Sequence, residues 1–243
     1  MNHPYSEAEG LPSLPMRLHL GCELNTPPGW INLDGSWGAW LGKHRLLRAF
    51  LKLTKFFPQH LLEKKWLSDI VVHDLRKPLP FDNNSLVAIY ACHVLEHLYL
   101  TEAKVLLEEC YRTLKPGAVI RIVVPDLEAY ISKYLEEKSH PKPGGFESGL
   151  NPGDSLNKRL MLRSEAPPSG KLIYKLYSFL KDFHSHKWVY DADSLTHHLK
   201  KAGFINIGIM KPHESKIKDI EKIEQAEKIA GGVGICLEGF KAI

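Results

Sequence analysis

A short stretch near the middle of the chain concentrates the side chains best suited to proton transfer. His93, Glu96 and His97 stand within five residues of one another, in the order His-x-x-Glu-His. A neutral His93 could take a proton from a hydroxyl group, since the ordinary pKa of histidine is about 6.5. The same order occurs in a class of zinc proteases, but there the first histidine lies on a helix. Here an apolar run typical of a strand, 86–92, leads straight into His93, which argues against a peptidase.

A glycine and two acids occupy corresponding places farther upstream. Gly21, Asp34 and Asp74 each come directly after one of the first three predicted strands. A carboxylate at the end of a second strand suits a ribose, because its oxygens can accept hydrogen bonds from both hydroxyls. Either acid alone would more often cap a helix or lie in a solvated turn. Their occurrence in order along the chain favours a ligand-binding edge.

The elements that must position these residues alternate between strands and helices. One helix is predicted from Thr101, as its N-cap, to Leu114, and a charged helix with Ile217, Ile220 and Ile223 on one stripe is predicted between the last two strands. Such alternation predicts an open α/β sheet, in which ligands bind beyond the carboxyl ends of the strands. The predicted strands are 17–20, 30–33, 70–73, 86–92, 119–124, 204–210 and 233–241, and the other predicted helices are 127–137 and one that begins at Asp191 or Asp193 and ends at Gly203.

Three stretches of the sequence resemble one enzyme family. They are LHLGCELNTPPGWINLDG, VVHDLRKPLPFDNNSLVAIYACHVLEHL and LLEECYRTLKPGAVIRIVVPDLEAYI. Together they are similar to class I S-adenosylmethionine (SAM)-dependent methyltransferases of the methyltransferase-11 type, above all to a bacterial branch of predicted SAM-dependent methyltransferases. The resemblance covers roughly residues 16–135 and extends weakly to the C-terminus through LTHHLKKAGF. It implies an α/β, Rossmann-like, seven-stranded sheet with helices on both faces and one antiparallel strand in the edge region near the C-terminus.

The resemblance also implies roles for residues at the strand ends. Gly21 and Cys22 would form the turn beside the methionine part of the cofactor. Asp34 would bind the ribose hydroxyls. Asp74 would accept a hydrogen bond from the adenine amino group, with the Leu75 backbone nearby. The sequence therefore predicts SAM as the cofactor.

The predicted catalytic residues lie on the same face. His93 would face the sulfonium and the acceptor, His186 is a second candidate base, and Asp126 follows the fifth strand, where it could equally cap the next helix. Two positions depart from the family pattern, since His19 stands where an acid is usual and Glu23 where a second glycine is usual. If Glu23 kept the cofactor away from the backbone, the chain would be a binding or scaffold protein that has lost SAM affinity.

The resemblance raises a metal site as an alternative. Some O-methyltransferases of small-RNA and ubiquinone pathways hold a divalent metal through a Glu-x-x-Glu-His run at this position. This chain has His93 in place of the first glutamate, matches Glu96 and His97, and could take a fourth ligand from His184 or His186. Such a metal would polarise the acceptor hydroxyl. The sequence favours the other arrangement, in which Glu96 and His97 make local hydrogen bonds and no metal is bound.

Composition narrows the class of protein. A chain of 243 residues with 44% hydrophobic and 25% charged residues predicts one soluble domain over 16–243, with a flexible tail at 1–15 and insertions at about 37–68 and 140–187. The four cysteines show no CxxC spacing, and no apolar run resembles a signal peptide or a membrane span. A cytoplasmic protein is therefore predicted, and the sequence leaves its oligomeric state open.

The charged and aromatic residues indicate which kinds of partner the chain could bind. The run 37–57 is rich in Leu, Phe, Trp and basic residues, which suits packing on the sheet, a substrate lid or peripheral contact with an anionic membrane, the first two being favoured. A net charge of +4 without an evident aromatic-and-basic face argues against nucleic acid. The missing G-x-G-x-x-G argues against a nucleotide-dependent oxidoreductase. The predicted acceptor is a small-molecule or glycan hydroxyl.

Overall fold

The computed structural model describes residues 15–54, 66, 69–140, 151–161, 185–230 and 234–243. Nearly all of the predicted tail, much of both predicted insertions, and His184 lie outside these residues. The described residues form one sheet of seven strands in the order β3-β2-β1-β4-β5-β7-β6. The strands are β1 (Arg17–Leu20), β2 (Ile31–Asp34), β3 (Val71–Val72), β4 (Leu86–Cys92), β5 (Leu114–Pro125), β6 (Ile205–Ile209) and β7 (Gly234–Phe240).

The direction of the strands confirms the predicted fold class. Strands β1 to β5 pair with one another in parallel, whereas β7 pairs antiparallel with both β5 and β6. The antiparallel strand thus lies next to the edge strand β6, and the sheet is the seven-stranded Rossmann-like sheet that the resemblance implied. No helix joins β1 to β2, since residues 21–30 form turns.

Six α-helices are described, and their caps explain where two of them begin. They are α1 (Trp37–Lys43), α2 (Arg45–Thr54), α3 (Leu100–Thr113), α4 (Leu127–Ser139), α5 (Pro152–Leu160) and α6 (Ala192–Lys201). Asp191 caps α6, because its Oδ1 accepts from the Ser194 N–H at 2.8 Å. The predicted cap of α3 at Thr101 is wrong: the N-cap is Tyr99, whose N–H donates to Glu102 Oε2 at 2.9 Å.

The helix predicted between the last two strands is also wrong. Residues 211–230 form turns and two short 3-10 helices, Ile220–Lys222 and Ala226–Lys228. The carbonyls of Lys211 and Glu214 accept hydrogen bonds from the buried Arg121 guanidinium, at 3.0 and 2.8 Å. These two carbonyls accept from a side chain on the sheet and not from backbone N–H groups four residues later, as they would in a helix. The contact with Arg121 therefore favours a turn. The predicted apolar stripe is buried nonetheless, as Ile217, Ile220 and Ile223 all pack on the sheet.

Alternating strand residues cover the two faces of the sheet. Ile89 and Ile120 belong to the cluster that includes buried residues of α3 and α6, while Tyr90 and Val119 face the 211–230 segment. Arg121 is fully buried on that second face between Glu224 at 2.6 Å and Glu238 at 2.9 Å. All four cysteines carry free thiols. No described helix is long and apolar enough to cross a membrane.

Candidate functional site

The carboxyl ends of the first four strands meet at one edge of the sheet. The parallel register places Leu20, Leu33 and Ala91 side by side, so the turns after β1, β2 and β4 leave the sheet together. The turns after β2 and β3 approach closely, because a Cβ on Gly35 would lie 2.6 Å from the His73 carbonyl oxygen. This edge holds six of the predicted residues, namely Gly21, Cys22, Asp34, Asp74, Leu75 and His93.

Asp34 organises the backbone at this edge. Its side chain is 6% exposed; Oδ2 accepts from the Glu23 N–H at 2.9 Å and Oδ1 from the Ser36 N–H at 2.8 Å. Its carbonyl accepts from the His73 N–H at 3.2 Å. A carboxylate has about four lone-pair sites, so these bonds leave acceptor capacity on both oxygens. Asp34 can therefore fix the turn and still accept from a diol.

The turn after β1 requires a glycine for two reasons. Gly21 has φ +62°, and a Cβ at this position would lie 2.5 Å from Val94 Cγ2. The Gly21 turn thus packs directly on Val94, the residue after His93. Cys22 is buried beside the turn, and burial raises the pKa of its thiol to about 12, so this side chain is protonated and packs without acting as a nucleophile.

The two departures from the family pattern have separate explanations. Glu23 has φ +48° and an exposed side chain, so it does not occupy the inside of the turn. His19 is a core residue of β1, 2% exposed, with Nδ1 at 3.3 Å from Asn32 Oδ1. Burial lowers the pKa of His19 to about 4, so the ring is neutral near pH 7.

Asp74 is held by an arginine that the sequence did not single out. Arg76 Nε lies 2.8 Å from Asp74 Oδ1 and Arg76 Nη2 lies 2.8 Å from Oδ2, which makes the pair bidentate. The guanidinium lowers the pKa of Asp74 and keeps the carboxylate ionised. A ligand amino group would share this carboxylate with Arg76.

His93 and Glu96 form the titratable pair at the end of β4. His93 has φ +54°, and its N–H donates to the Val123 carbonyl at 2.9 Å, which fixes the turn. His93 Nδ1 lies 2.8 Å from Oε1 of Glu96, which is fully buried. An ionised Glu96 accepts from Nδ1–H and leaves the lone pair on Nε2. Nε2 has no partner within the described ranges, and the ring is 25% exposed, so it can accept a proton.

His186 lies beside this pair, although it is ninety residues away in sequence. Glu96, His97 and His186 each offer a ligand atom, and these atoms all lie within 4.8 Å of one another. Glu96 Oε2 and His186 Nδ1 are buried without a hydrogen-bond partner among the residues that the structure describes. Buried polar atoms almost always have partners, so both positions suit a cation or an ordered water. The residues placed to hold a metal are Glu96, His97 and His186. His93, which the predicted site also included, instead binds the other oxygen of Glu96.

Segment 185–190 is docked on the cluster through its backbone. The Lys187 and Trp188 N–H groups donate to the Glu96 carbonyl at 2.7 and 3.3 Å, and Lys187 Nζ donates to the His97 carbonyl at 2.9 Å. Burial lowers the pKa of His186, an effect that the Glu96 carboxylate opposes. The contribution of Lys187 could not be predicted from the sequence, because its contacts join distant parts of the chain.

Asp126 caps the helix α4, which is the alternative role predicted for it. Its Oδ1 accepts from the Glu128 N–H at 3.0 Å, which caps α4. A catalytic role for Asp126 stays a prediction. A surface depression lined by 78–83 and Arg112 lies at the amino end of β4, away from this edge, and contains none of the predicted site residues.

The sequence matches one family model. Residues 52–122 match the family described as a methyltransferase domain, which is less than half of the chain. The matched range contains β3, β4 and α3, with Asp74 and His93, but not the Gly21 turn or Asp34. No curated protein matches the chain.

Solved structures give distant alignments. A SAM-dependent methyltransferase from Archaeoglobus fulgidus is 16% identical, with 94% of this chain and 87% of that chain covered and a TM-score of 0.44. A SAM-dependent methyltransferase from Thermotoga maritima, described as a possible histamine N-methyltransferase, is 14% identical over 95% and 84%, with a TM-score of 0.43. A protein from Bordetella parapertussis described as a possible exported protein is 11% identical, with 93% of this chain but only 62% of that chain covered and a TM-score of 0.45. Because these TM-scores lie below 0.5, the fold rests on the strand order itself.

Proposed function

We propose that the chain is a class I SAM-dependent methyltransferase and that it methylates a hydroxyl group of a small-molecule or glycan acceptor. The observation that supports this most is the His93–Glu96 pair. Nε2 of His93, at the end of β4, has no hydrogen-bond partner among the described residues. The next residue, Val94, packs its side chain on the Gly21 turn. A hydroxyl acceptor has a proton to give up as its oxygen becomes methylated, and such a base receives it.

The residues of the edge fit the cofactor. SAM supplies an activated methyl group on a positively charged sulfur. Asp34 would bind the ribose hydroxyls with the lone pairs left by Glu23 and Ser36, and Asp74 would accept from the adenine amino group beside the Leu75 backbone. The Gly21 turn would hold the methionine part. Glu23 has an exposed side chain, and no contact among the described residues favours a scaffold protein without SAM affinity.

The protein's own chemical contribution is positioning and one proton transfer. The hydroxyl proton goes to His93 Nε2, while Glu96 accepts from Nδ1–H and stabilises the imidazolium that forms. Alignment of the acceptor oxygen with the methyl carbon supplies most of the rate, since a sulfonium needs little acid–base assistance. Docking of 185–190 on the cluster brings His186 to the same edge as a second proton acceptor.

A metal-assisted variant has a specific observation in its favour. Glu96 Oε2 and His186 Nδ1 are two of the buried side-chain atoms that have no hydrogen-bond partner among the described residues, and His97 completes a three-residue ligand set. A divalent cation held there would polarise the acceptor hydroxyl, and His93 would have a smaller role.

Methyl transfer to a panel of hydroxyl and amine acceptors tests the proposal. We expect methyl ethers from hydroxyl acceptors, and a fall in kcat of about 100-fold for His93→Gln with the KM for SAM unchanged. The matched control is His140→Gln, an exposed histidine at the end of α4, which should retain wild-type kcat. Methylation of amines alone would contradict the proposal.

Chelation separates the two variants of the mechanism. Full activity after treatment with EDTA supports His93 as a base without a metal. Activity that is lost with EDTA, restored by Zn²⁺ or Mn²⁺ and insensitive to His93→Gln assigns the step to Glu96, His97 and His186 instead. In that case His186→Ala should bind less Zn²⁺ in equilibrium dialysis.

A further inference from the structure

Helices α1 and α2 expose an unusual amount of apolar surface. On α2, Leu46, Phe50 and Leu53 are 89%, 61% and 82% exposed, and their spacing of four and three residues places them on one stripe. On α1, Trp37 and Trp40 are 56% and 37% exposed, with ring centroids 5.3 Å apart. Single exposed apolar residues are ordinary, but an aligned set of this kind marks an interaction surface.

The two helices bury little of this surface against the sheet. Ala39 and Leu41 of α1 are buried, and Ala39 belongs to a small cluster with Cys22 and Ile70. On α2, Leu51 and Arg48 are only partly buried, and they lie on the side of the helix away from the exposed stripe. The helix therefore turns its apolar stripe outward, the reverse of a helix that packs on a core.

The charge of the segment specifies the partner. No acidic residue occurs between Asp34 and Glu63, while Lys43, Arg48 and Lys52 lie on these helices. Lys43 and Lys52 have exposed side chains. An apolar stripe on a segment whose charges are all basic, with tryptophans at one end, complements anionic lipid head groups above an acyl layer. A dimer formed through this surface would bring like charges together, so a second copy of the chain is disfavoured as the partner.

We propose that α1 and α2, residues 37–54, form an interfacial anchor that holds the protein on an anionic lipid bilayer. The stripe of Leu46, Phe50 and Leu53 lies at the boundary between head groups and acyl chains, and Lys43 and Lys52 contact anionic head groups. Because Asp34 binds the Ser36 N–H immediately before α1, the anchor adjoins the edge of the sheet that holds the predicted site. The inference goes beyond methyl transfer and is independent of it.

Co-sedimentation with vesicles tests the anchor. The full chain is mixed with vesicles of phosphatidylcholine alone or of equal parts phosphatidylcholine and phosphatidylglycerol. We expect binding to the mixed vesicles only, weakened by added salt because the charges that make the contact are exposed. Absence of binding to the mixed vesicles, or equal binding to both kinds, overturns the proposal.

Matched variants identify the surface. The double variant Leu46→Gln/Leu53→Gln should bind mixed vesicles at least tenfold more weakly, and Lys43→Gln/Lys52→Gln should lose the preference for anionic lipid. The control is Leu135→Gln, which removes a leucine that is 56% exposed on α4 and should bind like wild type. An unchanged circular dichroism spectrum and thermal midpoint show that each variant is folded. Unaltered binding by the double leucine variant contradicts the anchor, as does a monomer–dimer equilibrium that only this variant abolishes.

Discussion

At the scale of single residues, the candidate site depends on backbone geometry as much as on side chains. Gly21 is required by its positive φ and by contact with Val94, and Asp34 uses one lone pair on each oxygen to bind the backbone around it. Gly21, Asp34 and His93 could be found from the sequence because each directly follows a strand. Arg76 could not, because its role depends on a bidentate contact that no motif records.

His19 gives a prediction on pH dependence at the same scale. Its pKa falls from 6.5 to about 4 in the folded chain because the ring is buried. Below pH 6.5 the unfolded state therefore binds a proton that the folded state rejects, so the free energy of unfolding falls as the pH falls from 6.5 towards 4. The loss due to this one residue is about 3 kcal/mol.

Urea unfolding of wild type and His19→Gln across this pH range measures the effect. The variant should lose less stability between pH 6.5 and 4 than wild type, whatever its stability at pH 7, because it has no ring to protonate. The remaining histidines and carboxylates are common to both proteins. Parallel pH profiles would show that His19 is not the group responsible.

At the scale of elements, Arg121 connects β5 to the segment that follows β6. Its guanidinium binds Glu224, Glu238 and the carbonyls of Lys211 and Glu214, and it is fully buried. Arg121 is the one charged residue in the apolar run 119–124, but the sequence does not reveal its partners. The hydrophobic periodicity of the segment 217–223 correctly predicted that Ile220 is buried. It wrongly predicted a helix, because turns can bury the same side chains.

Removal of Arg121 should destabilise the protein strongly. Arg121→Met leaves Glu224 and Glu238 buried without their counter-ion, which costs about 3–5 kcal/mol in the free energy of unfolding. Thermal and urea unfolding at pH 7 measure the change. The control is Lys222→Met, which breaks an exposed ion pair with Asp219 and should cost less than about 1 kcal/mol.

A triple variant tests whether unpaired charge is the cause. Arg121→Met/Glu224→Gln/Glu238→Gln removes all three charges, so it should be more stable than Arg121→Met alone. If the triple variant is no more stable, the loss comes from packing and not from the buried carboxylates.

At the scale of the whole molecule, the alternation of strands and helices predicted an open α/β sheet, and the family resemblance supplied its seven strands and the antiparallel strand. The order β3-β2-β1-β4-β5-β7-β6 places the turns after β1 to β4 at one edge, so residues predicted one by one became neighbours. Two features were beyond the sequence. The contact of His186 with Glu96 and His97 joins distant segments, and the outward direction of the α2 stripe depends on how that helix packs.

The central claim is that the edge formed by Gly21, Asp34 and Asp74 binds SAM, and isothermal titration of the purified protein with SAM tests it most directly. Wild type should bind, and Asp34→Ala should bind at least about tenfold more weakly because hydrogen bonds to a charged group are lost. The control Asp191→Ala removes a carboxylate that caps α6 elsewhere and should bind SAM like wild type. A folded wild-type protein that does not bind SAM, or an Asp34→Ala variant with unchanged affinity, would contradict the claim.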